Sequence, residues 1–133
     1  MSTTNFEKNK IMDCSFGATT YTPATNYYLG ASTTTISSSG SNATEPVGAG
    51  YARILIPNTK GYFSNSTSGC VTNSGSIAFA ESSGSWGTIV DLGLWDALTS
   101  GSIRFYTTLP TPKIVQDATV VSFSASAISF WMT

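Results

Sequence analysis

With 133 residues, the chain has the length of one domain able to build a hydrophobic core of its own. Charged residues make up only 10% of it, and six Lys+Arg stand against seven Asp+Glu for a net charge of −1. Phosphate binding needs clustered positive charge, so nucleic acid and anionic membranes are excluded as partners. Ser, Thr, Asn and Gly supply the polarity instead, giving a neutral, hydroxyl-rich surface with little electrostatic protection against self-association.

Met1 is followed by Ser-Thr-Thr-Asn and then charged residues, without an apolar stretch that would make a signal peptide or span a bilayer. Synthesis in a cytosol is the expectation. Thr4 with Glu7 three residues on fits a capping box. Phe6, Ile11, Met12 and Phe16 form a thin apolar stripe, and Gly17 is a natural stop. These signals predict a short amphipathic helix inside an N-terminal arm, residues 1–17, followed by one β domain, residues 18–133. The helix can serve as a lid over the open end of that domain or as an arm that docks on a neighbour.

Asn26 to Ser32 reads as a first strand. Residues 33–44 are nearly all Ser, Thr, Gly and Asn, with Ile36 the lone large apolar residue, and read as a mobile solvent loop. Gly48-Ala49-Gly50 lacks the third glycine and the following helix of a dinucleotide loop, so it reads as a turn. Tyr51 to Ile56 is a second strand ended by Pro57, and Tyr62 with Phe63 anchors the polar loop after it. Cys70–Asn73 and Ile77–Ala80 are short strands. Residues 84–97 hold the longest run of β-branched and aromatic residues. Strict alternation there puts Trp86, Thr88, Val90, Leu92 and Leu94 on one face, and Gly87, Ile89, Asp91, Gly93 and Trp95 on the other. This is the expected central strand. Ile103–Thr107 is its hairpin partner, and Pro110 and Pro112 are expected to end that strand because neither donates to a ladder. Thr119–Phe123 and Ala127–Met132 complete about eight short strands. The fold class is all-β, an antiparallel sandwich or jelly-roll-like barrel with a short N-terminal helix.

Catalytic templates are missing. Without histidine there is no Ser-His-Asp or Cys-His arrangement and no zinc finger, and no GxSxG elbow occurs. Cys14 and Cys70 read as reduced structural thiols. Seven carboxylates offer no pair that spacing favours for a glycosidase. Asp96 reads as a turn cap. Arg53, alternating with Tyr51 and Leu55, reads as a partly buried arginine paired with Glu45 or an Asp. Core packing is the default for Trp86 and Trp131. No enzyme, cofactor or metal site is expected.

Four segments recur together in one order: Tyr27 to Thr34, Glu45-Pro46 with Gly48 to Arg53, Ser85 to Ile89 with Gly93 to Ala97, and Thr119 to Ala125. In this order and spacing, the chain resembles a family of small tailed-bacteriophage proteins labelled tail-fibre-like or virion structural proteins. Tyr51, Arg53, Trp86, Gly87, Gly93, Trp95 and Asp96 carry that motif. The resemblance implies a virion protein made in the host bacterial cytoplasm, with other virion proteins as partners and a homo-oligomeric state. Capsid decoration, clamping neighbouring major-capsid subunits, is the first placement. A tail or tail-fibre component near the baseplate, touching host glycans, is the alternative, and a monomeric carbohydrate-binding module is a third. Phe6, Ile11, Met12, Phe16, Phe130, Trp131 and Met132 are the candidate intersubunit contacts.

Overall fold

A computed structural model describes residues 1–132. The elements are β1 (Ser2–Thr3), α1 (Asn5–Gly17), β2 (Asn26–Ser32), β3 (Ile54–Pro57), β4 (Cys70–Thr72), β5 (Ile77–Ala78), β6 (Gly87–Trp95), β7 (Ile103–Val115), β8 (Ser122–Phe123) and β9 (Ser129–Trp131). The fold is all-β and antiparallel with one N-terminal helix. One sheet has the order β1-β7-β6-β2-β3, and two ribbons, β4-β9 and β5-β8, stand apart from it. β6 is the middle strand. Leu29 of β2 and Ile89, Leu92 and Leu94 of β6 face Ile77, Val121, Ile128 and Phe130 from the ribbon side, and together they make the main core. The hydrophobic faces of sheet and ribbons thus bury each other in two layers.

β1 ties the layers together. It pairs with β7 through Ser2–Tyr106 and Thr3–Phe105. On its other side the Trp131 N–H donates to the Met1 carbonyl at 3.2 Å, and the Thr3 hydroxyl donates to the Trp131 carbonyl at 2.7 Å. Residues 2 and 3 therefore belong to the sheet and not to the helix.

The first of two register shifts interrupts the alternation expected for β6, which holds again from Leu92 to Trp95. Ile89 pairs with Lys113, but Asp91 pairs with Thr108, so Val90 stands opposite residues 109–112. The shift turns Ile89 to the same core as Leu92 and Leu94. It also explains why β7 runs through Pro110 and Pro112: both lie inside the irregularity, where no ladder bond needs their missing N–H. The second shift lies between Leu94–Phe105 and Trp95–Ile103 and leaves Arg104 as the extra residue.

The helix is not amphipathic. Thr4 caps it, accepting from the Glu7 N–H at 3.4 Å, but Glu7 is its only buried residue. The left-handed C-cap is Ala18 (φ 54°) rather than Gly17. Tyr51 to Arg53 lie outside β3, and of the anchoring pair only Phe63 is buried. The 33–44 segment is tied down: Ile36 is buried and its N–H donates to Asp91 Oδ2 at 2.7 Å. The Ser37, Ser39 and Ser41 hydroxyls also bond one another at 2.7–2.8 Å.

Candidate functional site

The motif residues from three segments converge on the sheet face opposite the main core. Gly30 and Gly93 are direct partners across β2 and β6. A Cβ on Gly30 would lie 2.7 Å from Trp95 Cζ3, and one on Gly93 would lie 2.5 Å from the same atom. The two glycines leave a bare backbone floor on which the indole lies flat. Above it sits the Arg53 guanidinium, 4.2 Å from the ring. Arg53 is then locked. Nε and Nη2 form a fork with Glu45 at 2.9 and 2.7 Å, and Nη1 donates to the Ala97 and Ser100 carbonyls at 2.6 and 2.8 Å. Tyr51 completes the group by donating its hydroxyl to Glu45 Oε1 at 2.6 Å. Burial pushes the Glu45 carboxyl up, yet the bonds from Arg53 and Tyr51 outweigh it and hold the pKa below the ordinary value. Burial and the Glu45 carboxylate push the Tyr51 phenol far up.

A second network lies across the 96–102 turn. The extra residue in β7, Arg104, is aimed at Glu7 Oε2 and, through Nε at 3.0 Å, at Asp96 Oδ2. Phe6 packs under the guanidinium at 4.8 Å from the ring centre, and Tyr21 donates to the other Glu7 oxygen. Burial works against the Arg104 charge, but Glu7 and Asp96 more than offset it and raise its pKa. Asp96 Oδ1 accepts the Ser102 N–H at 2.8 Å. Each arginine thus bonds the 96–102 turn with one nitrogen, Arg53 through Nη1 and Arg104 through Nε, and a carboxylate outside the turn with the rest. Beside them runs a polar cleft of about 410 Å³ with Glu45, Arg53, Ser41 and Ser102 on its walls. Among the described residues no group of three His, Cys, Asp or Glu side chains is placed to hold a metal.

The remaining motif residues are structural in position. Trp86 is buried against Phe79 and Tyr51, and its indole N–H donates to the Ala49 carbonyl at 2.9 Å. Gly87 opens β6 with φ +79°, a conformation that favours glycine.

The residues expected at contacts divide. Phe130 is core, packed edge-on against Phe63 and Phe105 at 5.6 and 5.9 Å, so it is not available to a partner. Trp131 (41% exposed) and Met132 (55%) form the rim of an apolar groove of about 290 Å³. On the helix, Ile11 is half-buried, Phe6 is engaged by Arg104 and Lys10, and Met12 and Phe16 are exposed at 52% and 83%. Sequence reading missed Glu7 as more than a cap residue and missed Arg104 altogether. Their pairing spans 97 positions, and nothing local marks it.

Over residues 2–130 the chain matches the model of the family described as Gp80, podophage GP4 fiber I protein gp80. The chain belongs to this family. A comparison with curated proteins finds no match. The Gp80 family is a phage virion structural family of fibre proteins, so the two-layer β fold, its stacked Trp95–Arg53 face and its exposed Phe16 and Trp131 belong to a virion component that associates with other virion proteins. No described helix is long and apolar enough to cross a membrane.

Proposed function

We propose that this chain is a non-enzymatic structural component of the phage tail fibre, carried in the virion and held there by contacts with other tail proteins. The family match over residues 2–130 carries this reading. It puts the fibre ahead of the capsid-decoration role that the sequence favoured. The geometry agrees with a scaffolding role: Arg53 pairs with Glu45, and Arg104 with Glu7 and Asp96, so these charges are satisfied within the chain around a surface turn. The exposed large aromatics are Phe6 and Phe16, ten residues apart on α1, Tyr62 in the loop before β4 and Trp131 in β9, which favours protein contacts over a row of sugar-stacking rings.

Electron microscopy of purified particles labelled with gold-conjugated antibody against the chain tests the placement. Gold at the tail appendages is the expected result. Gold spread over the head lattice, or no specific label, would overturn it.

A further inference from the structure

The chain carries an unpartnered knob and an unpartnered hole. The knob is the last turn of α1. Phe16 is 83% exposed there and Met12 52%, and Glu7, a full two turns earlier, is the only helix residue that is buried. Such a helix gains little from its own body, since most helix stability in proteins comes from a packed face. A phenyl group this exposed leaves apolar surface in water that burial would relieve. The hole is the groove beside the C-terminal strand. Phe63, Leu94 and Phe130 are its floor, and Trp131, Met132 and Lys60 stand at its rim. At about 290 Å³ it is roughly twice the ~150 Å³ of an apolar cavity known to accept benzene, so a phenylalanine ring fits with room for part of a second side chain.

Charge chooses the occupant. Asp13, three residues before Phe16, adds a carboxylate near the negative end of the helix dipole, and the last turn itself has no basic residue. Lys60 is the one charged residue lining the groove, and it is exposed. An acidic turn bearing an aromatic knob and an apolar hole with a basic rim are complementary, and both are on the same chain.

We infer that the partner of each surface is a second copy of this chain: the Phe16 turn of one copy seats in the Trp131–Met132 groove of the next, with Asp13 beside Lys60. The contact is heterologous, so each copy uses a different surface to bind each neighbour. One aromatic anchor with one rim charge pair makes a small interface, weak in a single pair. It strengthens when copies close into a ring or are held together on a particle. The inference does not depend on where in the virion the chain is carried.

Sedimentation velocity on the full chain tests it, from about 10 µM to about 1 mM. Wild type is expected to show concentration-dependent association. Phe16→Asp removes the knob and Met132→Arg blocks the hole; both positions are exposed, so the fold is expected to persist and circular dichroism checks it. Each variant alone is expected to be monomeric, with association weakened by roughly 30-fold or more, the scale of an interface hot spot. Mixed one to one, they retain one intact knob and one intact hole between them and are expected to form a dimer and stop there. Lys60→Glu is expected to weaken association, and Asp13→Lys in the same chain to restore it. A wild type that stays monomeric throughout would overturn the inference and assign the groove to another protein. Association unaffected by either surface variant, or a mixture that stays monomeric, would overturn it as well.

Discussion

Gly93→Ala is the most exacting test of the stack that organises the motif residues. The backbone at Gly93 is ordinary strand, and there a Gly→Ala change by itself stabilises by about 0.4–1 kcal/mol through the unfolded chain. The structure reverses the sign. The new Cβ would stand 2.5 Å from Trp95 Cζ3 and 2.8 Å from Cη2, whereas carbon atoms rest at about 3.5–4.0 Å. The indole would have to rise by about 1 Å. It cannot do so freely, because Arg53 covers it at 4.2 Å and is fixed by four hydrogen bonds. With two contacts under 3 Å the cost lies in the upper part of the ~1–3 kcal/mol overpacking range, about 2–3 kcal/mol, leaving a net loss of about 1–2.5 kcal/mol after the backbone gain. Urea unfolding followed by circular dichroism should show the midpoint falling by about 0.5–1 M at unchanged slope. Adding Trp95→Leu removes the clash, so the double variant should be more stable than the sum of the single losses by about 1 kcal/mol or more. A Gly93→Ala protein as stable as wild type, or more stable, would refute the flat-floor account.

Three further results follow from the same geometry. Trp86→Ala removes a buried ring from the Phe79–Tyr51 cluster and should cost about 3–5 kcal/mol in the same unfolding assay. Glu7→Ala leaves Arg104 with Asp96 alone; the loss should be about 2–3 kcal/mol, below the ~3–5 kcal/mol for a fully orphaned buried charge, and Glu7→Gln should recover part of it. Because the folded-state pKa of Glu45 is lowered, its contribution is fully present above its ordinary value of about 4.5 and is lost as pH falls through the lower folded value. Unfolding free energy measured from pH 7 to pH 3 should therefore drop less steeply in Glu45→Gln, which starts from a lower value at pH 7; parallel curves would contradict the Glu45–Arg53 assignment.

Local pattern made several elements readable. β2 was legible to the residue because Asn26 to Ser32 is bounded by turn-forming chemistry, and Thr4 was legible as a cap because its hydroxyl acts three residues away. What depended on distant partners was not. β1 is two residues with no pattern of their own, and it is a strand because Phe105, Tyr106 and Trp131 lie on either side. Period two mis-sorted Ile89 because the interruption at Val90 is produced by the length of β7 opposite it. The same mismatch let β7 pass through two prolines that read as a stop. At the site, Gly30, Gly93, Trp95, Arg53 and Tyr51 were visible as separate motif letters, but their stacking order was not, since it arises from strand pairing. Phe130 and Trp131 are neighbours in sequence with opposite fates, one in the core and one at the groove rim. An apolar run alone did not tell which was which.

A fibre component of a phage particle is carried in far fewer copies than a protein of the head lattice. Quantitative mass spectrometry of purified particles, counting copies of this chain against the major capsid protein, tests the fibre placement most directly. A few to a few dozen copies per particle is the expected result. Hundreds of copies would place it on the head lattice, and absence from the particle would contradict a structural role in the virion altogether.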